Sequence, residues 1–298
     1  MIFGIDTASV AGNKNIDWVK AKAKGQVSFA IIRSNYGTSE DKLFNKEWPR
    51  IQDAGITRGA YLFLRFPHPK HGMKDIGPVA QAKAMCKTVG RLNVEDFPPV
   101  LDVEFPGGRK VTGLSVDECI ERVRKAWAVL HDYYKTPPII YTSARVWKED
   151  LKNQVVLEFL DSPLWLARYY FKGPPMLDAS KFVGNKYDPP VPTPWLDEAN
   201  WAAHQYQGDT KGLPGFPTGN LDMNRFNPLV KGDKGQRVRW LQMKLNSYIG
   251  GTDKVDGIFG NKTEKLLKTF QRFHSLIQDG IVGPKTFACL CWAGTIWV

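Results

Sequence analysis

The sequence has no long apolar run and few cysteines. None of the hydrophobic stretches in its 298 residues approaches the roughly 18 to 20 residues that a membrane-spanning helix needs, so we expect no membrane insertion. Met1 leads into residues 2–6 without a basic segment or a cleavage site, and a signal peptide is therefore not expected. Four cysteines are too few for a disulfide-stapled fold, which predicts buried, reduced thiols.

The motifs of several hydrolase and cofactor chemistries are also missing. None of the five histidines forms a His-Glu-x-x-His motif or a Cys/His cluster, and no Gly-x-Ser-x-Gly elbow is present. Zinc and serine hydrolase chemistry therefore lack their usual residues. The glycines at 212, 215 and 219 do not have the spacing of a nucleotide-binding loop. We expect neither a metal nor a cofactor.

The composition is that of a globular protein with two unequal domains. A 43% hydrophobic fraction and ten tryptophans are enough for a substantial core, and the length suits two domains. The net charge of +11 is uneven, because residues 229–298 carry 11 Lys and Arg against 5 Asp and Glu. A basic small domain suits an anionic polymer, and the charge alone leaves nucleic acid, cell wall and membrane surface as alternatives.

Residues 1–228 alternate strand-like and helix-like segments, which predicts an α/β domain with a mostly parallel sheet. The spacing favours a closed barrel over an open sheet. A proline-rich stretch, 171–194, is predicted to be a long surface loop beside the cleft. Strands are predicted at 2–5, 29–33, 59–64, 99–104, 138–141, 164–167 and 203–206, and helices at 17–24, 44–54, 79–89, 115–134 and 144–153.

Residues 229–298 have the pattern of a small all-α domain of three helices. One apolar face is formed by Val238, Leu241, Leu245 and Tyr248, and a second by Leu266, Leu267, Phe270 and Phe273. Pro284 predicts the first turn of a third helix. The motif Asp-Gly-Ile-Phe-Gly at 256–260 recurs as Asp-Gly-Ile-Val-Gly at 279–283, so that each repeat supplies a turn before a helix.

This segment resembles the type-1 peptidoglycan-binding module. The similarity runs through 229–235, Val238, Leu241-Gln242, Leu245, both Asp-Gly motifs, Phe270-Gln271 and Gly283-Pro284. The resemblance implies wall binding by the surface of this domain, and no individual contact residue is identified by it. Most of the matching residues are typical of scaffold.

Two carboxylates stand out in the segment Pro-Pro-Val-Leu-Asp-Val-Glu-Phe at 98–105. Side chains alternate on a strand, so Asp102 and Glu104 project to one face at the end of a strand, where barrel enzymes place catalytic groups. An exposed edge strand or a salt-bridged pair of acids would give the same spacing. Asp6 ends the first strand and Asp222 lies near the end of the last barrel segment, although each alone is typical of a cap or a turn. Together, four acids at one rim indicate glycosidase chemistry.

At these residues, positions 1–228 resemble the family 25 glycoside hydrolases, the Chalaropsis-type lysozymes. That resemblance implies a flattened β/α (TIM-like) barrel that hydrolyses the β-1,4 bond after N-acetylmuramic acid in peptidoglycan. The matching segments follow one another through nearly the whole domain: Gly4-Ile5-Asp6, 16–18, 29–33, 54–61, Leu101-Asp102-Val103-Glu104, 140–142, 164–169, His204-Gln205-Tyr206 and Asp222-Met223-Asn224.

The resemblance also assigns roles. The family's Asp-x-Glu falls on Asp102 and Glu104, with Glu104 as the general acid, and Asp6 and Asp222 become electrostatic or positioning groups. We expect repulsion from the other three carboxylates to raise the pKa of Glu104. Departures at residues 9–13 and 61–63 concern substrate contacts, not the acids. Five aromatic residues are candidates for stacking on sugars: Tyr61, Phe63, Tyr141, Trp165 and Tyr169. For Tyr61, Phe63 and Tyr169, core packing is the main alternative.

The spacing leaves the stereochemistry open. Alternate residues on a strand lie roughly 6.5 to 7 Å apart, between the separations of about 5 to 5.5 Å for retaining and about 6.5 to 9.5 Å for inverting pairs. Attack by the substrate's own 2-acetamido oxygen is a third hypothesis.

The prediction is a modular, monomeric lysozyme in two domains, 1–228 and 229–298. It resembles a phage endolysin that is made in the cytoplasm, depends on a holin for release and acts on the host wall. A catalytically inactive wall-binding lectin is the alternative. A nucleic-acid binder is not expected, because the basic residues are interspersed with the wall-module pattern.

Overall fold

The fold is described here from a computed structural model, which covers the chain except for residues 183, 194, 196–200, 251–253 and 294–298. All seven predicted strands are present, the one at 164–167 with the predicted ends and the other six with shifted ends, and a further strand contains Asp222. The strands in the described residues are β1 Ile2–Thr7, β2 Val27–Tyr36, β3 Ser39–Glu40, β4 Thr57–Phe63, β5 Val100–Asp102, β6 Ile139–Thr142, β7 Leu164–Ala167, β8 Trp201–Thr210 and β9 Leu221–Phe226.

Eight of these strands form a closed barrel, which confirms the predicted fold class. They are hydrogen-bonded in the order β1-β9-β8-β7-β6-β5-β4-β2, and β1 also pairs with β2 to close the ring. The short β3 extends β2 at one edge. Strand β9 is antiparallel to both of its neighbours, whereas the other neighbouring pairs in the ring are parallel.

Four helices pack around the barrel: α1 Trp18–Gly25, α2 Phe44–Asp53, α3 Pro78–Val89 and α4 Val116–Tyr134. The longest, α4, begins at a capping box in which Ser115 and Glu118 satisfy each other's backbone N–H groups. The predicted helix at 144–153 is shorter than expected. Residues 144–150 are helical, with a π-helical turn at Val146–Asp150, and the chain then adopts positive φ angles at Lys152 (54°) and Asn153 (55°), which helices do not tolerate.

Alternation along β5 separates the face that carries Asp102 from the packing face, as the sequence predicts. Leu101 and Val103 are fully buried in the apolar layer between sheet and helices. Val100 belongs to the apolar cluster inside the barrel, and Asp102 points into a cleft at the barrel rim. Packing of Leu101 and Val103 therefore fixes the direction of the Asp102 side chain.

The C-terminal segment forms the three expected helices, α5 Gln236–Ile249, α6 Asn261–Phe273 and α7 Pro284–Trp292. Each Asp-Gly repeat turns at a glycine with positive φ, 75° at Gly257 and 72° at Gly280. A buried glutamine fastens each turn, because Gln242 accepts from Gly257 N–H (2.8 Å) and Gln271 accepts from Gly280 N–H (3.0 Å).

Two side chains expected on the apolar faces of these helices are not fully buried. Phe273, in the last turn of α6, is 62% exposed. Tyr248 is 38% exposed, although its ring packs against the buried Phe270 with centroids 5.0 Å apart. None of the helices in the described part of the chain is long and apolar enough to cross a membrane. All four cysteines are free and buried, as the sequence predicts.

The helical module packs against the end of the barrel opposite the carboxylates. Phe287 of α7 contacts Phe226 at the end of β9 (ring centroids 5.5 Å apart) and Phe97 before β5 (6.1 Å). The indole N–H of Trp292 donates to the Asp96 carbonyl at 2.8 Å, and the Thr136 hydroxyl donates to the Cys291 carbonyl at 3.0 Å. One apolar cluster therefore runs from the barrel interior into the module.

Candidate active site

The four predicted acids lie together in one cleft at the barrel rim. Asp6 is near the end of β1, Asp102 ends β5, and Glu104 follows two residues later. Asp222 is the second residue of β9 and reaches the same rim because β9 runs antiparallel; it pairs in register with Asp6. The expectation that Asp222 stands near the end of its strand is therefore wrong, although all four side chains line a single pocket.

Asp102 and Glu104 lie beside each other at the cleft, and each affects the pKa of the other. Burial raises the pKa of Asp102 well above its usual range, the charges of Glu104 and Asp6 raise it further, and Arg33 opposes the rise. Asp102 is only 4% exposed, whereas Glu104 is half-buried and open to the cleft. Glu104 is thus the member of the pair that substrate can reach.

Burial, not charge repulsion, raises the pKa of Glu104. The hydrogen bonds from Tyr141 and Asp102 and the charge of Arg145 lower it. The expected direction is found, but its expected cause is wrong. The charge of Glu104 in turn raises the pKa of Asp102, Asp6 and Asp222.

Amide groups hold the other two acids. Asp6 Oδ2 accepts hydrogen bonds from Gln205 Nε2 and Asn224 Nδ2, each at 2.7 Å. Asp222 Oδ2 accepts from the same Gln205 nitrogen at 3.2 Å, and its Oδ1 accepts from Asp209 N–H at 2.7 Å. Burial and then the charge of Asp222 raise the pKa of Asp6 well above its usual range. Burial raises the pKa of Asp222 to about 6, and the Asp209 N–H opposes this.

A buried arginine brings positive charge to the same pocket. Arg33 of β2 lines the cleft and is held by Asp41, with Nε 2.8 Å from Oδ2. Asp41 is itself buried and accepts hydrogen bonds from the backbone N–H (3.0 Å) and the hydroxyl (2.9 Å) of Ser9. Arg33 therefore has a fixed position from which it partly offsets the negative charge at Asp102.

Comparison with known proteins decides the family. Residues 5–215 match the model described as glycosyl hydrolases family 25. The chain belongs to this family. Residues 234–290 match the model of a putative peptidoglycan binding domain, so this family 25 chain is a lysozyme-type cell-wall glycoside hydrolase with a peptidoglycan-binding module.

Relatives and solved structures agree with the family 25 assignment. The autolytic lysozyme of Clostridium acetobutylicum is 28% identical over 297 residues, covering 95% of this chain and 76% of the relative. Lysozyme M1 of Streptomyces globisporus is 29% identical over 233 residues, covering 75% of this chain and 67% of the relative. The bacterial lysozyme structure from Streptomyces coelicolor is 27% identical with a TM-score of 0.59, covering 76% of this chain and 92% of that one.

The five aromatic candidates all line the cleft of this family 25 barrel, but they differ in exposure. Trp165 is 2% exposed and donates from its indole N–H to Asn224 Oδ1 at 2.6 Å, and Tyr141 packs against it with ring centroids 4.4 Å apart. Trp165 and Tyr141 were the two rings for which the sequence favoured sugar stacking over core packing. In the structure both are packed in the core. Tyr61 is also buried, whereas Tyr169 is 55% exposed and Phe63, stacked on Tyr36, is half-buried. Tyr169 and Phe63 have the free ring surface.

Several family 25 site residues were not predicted as such from the sequence. Gln205 and Asn224 lie in segments that carry the family resemblance, yet no role was assigned to them. Asn224 lies two residues beyond Asp222 on β9, so strand alternation was a usable signal for it. Gln205 and Arg33 gave no comparable signal, because only the closed ring brings their strands beside the acids. Arg145 lines an adjoining pocket together with Glu104, and the sequence carried no signal for it either.

Within the described residues, no group of three or more His, Cys, Asp or Glu side chains is arranged to hold a metal ion. Asp6 and Asp222 are instead hydrogen-bonded to side-chain amides and a backbone N–H group. The site therefore consists of acids in different hydrogen-bonding environments. This is an arrangement that separates proton donors from electrostatic groups.

Proposed function

We propose that this protein hydrolyses the β-1,4 bond between N-acetylmuramic acid and N-acetylglucosamine in bacterial peptidoglycan, with Glu104 as the general acid. The observation that carries the proposal is the convergence of Asp6, Asp102, Glu104 and Asp222 on one cleft, into which the half-buried Glu104 opens. Burial raises the pKa of Glu104, and a raised pKa suits a carboxyl group to protonate a leaving oxygen. Relatives named lysozymes support this choice of substrate.

In this mechanism Glu104 gives its proton to the glycosidic oxygen as the bond from that oxygen to the anomeric carbon breaks. Positive charge develops on the sugar ring, and Asp102, Asp6 and Asp222 stabilise it. The 2-acetamido oxygen of the substrate attacks the anomeric carbon, oriented by Asp102 or Asp222, and water then opens the cyclic intermediate. Net inversion at the anomeric carbon in product NMR would exclude this route.

The cleft suits a bond that lies across Glu104. Glu104, Tyr141 and Tyr169 line two adjoining pockets. One pocket contains the other three acids, and the second contains Arg145 and Arg168. Sugar units on either side of the scissile bond would occupy the two pockets, and the arginines would face the carboxylates of the peptide stem. The exposed ring of Tyr169 lies between the two pockets. We assign both Tyr169 and Phe63 to contact with the sugars.

We assign wall anchoring to the module and place its start at residue 229. The isolated β-bridge between Leu229 and Val282 supports this boundary, because it joins Leu229 to the second Asp-Gly repeat. The excess of positive charge in 229–298 suits an anionic wall. An endolysin role, phage origin, release by a holin and a monomeric state stay predictions.

Digestion of purified peptidoglycan tests the reaction. We expect turbidity to fall, reducing sugars to appear and mass spectrometry to find fragments that end in reducing muramic acid. Reducing N-acetylglucosamine ends would contradict the proposed bond, and new amino termini would indicate an amidase or a peptidase. Binding without any cleavage would favour the inactive wall-binding alternative.

A further inference from the structure

A groove lined mainly by charged side chains runs along the solvent-facing side of α6. Lys265, Lys268 and Arg272 line it at three- and four-residue steps, which place them on one face of the helix. Gln278, which follows the helix, lines the same groove. The opposite side of α6 is buried within the module. We call this surface the α6 groove, and it belongs to the second of the two Asp-Gly repeats.

The second Asp-Gly turn lies directly against the α6 groove. A Cβ atom on Gly280 would stand 2.9 Å from Lys268 Cε and 3.1 Å from Glu264 Cγ, so the turn and these side chains are in close contact. Glu264 in turn pairs with two lysines. Its Oε1 is 2.9 Å from Lys268 Nζ, and its Oε2 is 3.1 Å from Lys231 Nζ. The one acid of the groove is therefore already shared between two cations.

The α6 groove carries more positive charge than Glu264 can balance. Four cations stand against this acid: Lys231, Lys265, Lys268 and Arg272. Neither Lys265 nor Arg272 is paired with an acid among the residues that the structure describes. Guanidinium groups bind carboxylates through paired hydrogen bonds, and nearby ammonium groups add attraction. The groove therefore suits an anionic ligand that carries carboxylate groups.

Exposed apolar side chains adjoin the α6 groove. Phe273 and Ile277 are the chain neighbours of Arg272 and Gln278, and they are 62% and 82% exposed. The Arg272 guanidinium lies over the Phe273 ring, with Cζ 5.5 Å from the ring centroid. A sugar can pack its apolar face on an exposed aromatic ring of this kind. Positive charge and aromatic surface therefore meet at Arg272.

Comparison of the two repeats separates the groove from the scaffold. Gln242 and Gln271 accept from the glycine N–H groups of the two turns in the same way, which aligns α5 with α6. Met243 then takes the place of Arg272, so the first repeat has no cation at this position. The same turn and helix form without it. Packing of the module therefore does not require Arg272.

We propose that the α6 groove binds a peptidoglycan strand, with a sugar ring packed on Phe273 and a peptide-stem carboxylate paired with Arg272 and Lys265. The inference rests on the wall anchoring assigned to the module under Proposed function. The α7 side of the module is covered by the barrel, where Phe287 packs on Phe226, so that side is not available to the glycan. The sugar faces and anionic stems of peptidoglycan match the two kinds of surface that meet at Arg272.

Binding of the full chain to insoluble peptidoglycan tests the proposal. All variants carry Glu104→Gln so that the wall is not digested, and co-sedimentation measures Kd on peptidoglycan freed of teichoic acids. Phe273→Ala should raise Kd by about five- to tenfold through loss of the stacking contact. Arg272→Gln should raise it by about two- to fivefold at low salt, where exposed charges are least screened. On peptidoglycan whose stem carboxylates have been converted to amides, Arg272→Gln should leave Kd unchanged.

Two matched controls lie in the same module. Met243→Ala removes a 53% exposed apolar side chain at the corresponding place of the first repeat. Lys254→Gln removes an exposed positive charge outside the α6 groove. Both controls should keep the Kd of the Glu104→Gln parent, and thermal unfolding of each variant checks that it is folded.

An unchanged Kd in either groove variant would overturn the proposal, as would an equal loss in the controls. An equal effect of Arg272→Gln on native and amidated peptidoglycan would refute the stem carboxylate as the ligand. Loss of affinity for a DNA duplex but not for peptidoglycan would assign the groove to nucleic acid instead. A Glu104→Gln parent that does not sediment with the wall would refute wall anchoring itself, whereas firm binding that ignores the groove variants refutes only the α6 groove.

Discussion

Asp6 and Asp222 stand directly opposite each other across the antiparallel pair β1 and β9, and the Gln205 amide nitrogen donates to both. Two carboxylates so placed repel each other when ionised, and burial adds to the cost. The barrel keeps them together because their strands are held in register on both sides. The acid cluster is therefore expected to reduce stability near neutral pH while it serves function.

Asp222→Asn should stabilise the protein near neutral pH. The folded-state pKa of Asp222 is raised from 3.8 to about 6, so the native state binds more protons in that window and the free energy of unfolding falls as pH rises through it. Asparagine cannot ionise and avoids this loss, by about 1 to 2 kcal/mol after allowance for screening. Calorimetry should find a Tm a few degrees above wild type at pH 7 and an equal Tm at pH 4. A lower Tm at pH 7 would count against the argument.

Glu104→Gln should remove most turnover while wall binding persists. The amide has the shape of the acid but no proton to give, and a general acid contributes about 10² to 10⁴ in rate. Asp102→Asn should also be severe, because it removes the buried carboxyl group beside Glu104 that stabilises the positive charge developing on the sugar. Reducing-sugar release measures the rate, and co-sedimentation with peptidoglycan measures binding. A Glu104→Gln variant that keeps more than about a tenth of the wild-type rate would contradict the assigned role.

Arg145→Gln should extend activity to higher pH. The charge of Arg145 lowers the pKa of Glu104, so its removal raises that pKa and Glu104 stays protonated further into the basic range. The side chain is 54% exposed, and we expect a shift of only a fraction of a pH unit. Lys148→Gln removes a neighbouring exposed positive charge outside the cleft and should leave the basic limb in place. A downward shift in Arg145→Gln would contradict the prediction.

Phe287→Ala should destabilise the barrel although the residue belongs to the module. Phe287 is 3% exposed and packs on Phe226 and Phe97 at the barrel end, where truncation of a phenylalanine costs about 3 to 5 kcal/mol. Phe273→Ala is the matched control, since Phe273 is 62% exposed and should tolerate the change. Thermal unfolding followed by intrinsic tryptophan fluorescence distinguishes them. Equal melting temperatures for both variants would mean that the interface contributes little.

The alternation of apolar and polar residues in the sequence is enough to predict the strands and the direction of the Asp102 side chain, because alternation on β5 depends only on local geometry. It does not predict the reversal of β9, which decides how Asp222 reaches the rim. That reversal is a property of the closed ring. The same limit applies to Gln205, whose partners lie up to 199 residues away in the chain.

Aromatic residues are harder to assign than acids. Trp165 and Tyr141 fit the pattern of sugar-stacking rings, yet both are packed in the apolar cluster inside the barrel. A buried ring and a ligand-facing ring have the same sequence signature, since both follow apolar strand residues. For the helix predicted at 144–153, the positive φ angles at Lys152 and Asn153 carry no sequence signal of the Gly or Pro kind.

The seating of the module on the far end of the barrel has a consequence for how the enzyme travels on its substrate. Strand β1 spans six residues, about 20 Å, between that seat and the acids. The cleft and the module therefore stand at opposite ends of the barrel, separated by at least this distance. Because the module packs directly on the barrel, the length of the barrel sets the distance between wall anchor and cleft, and no flexible linker does.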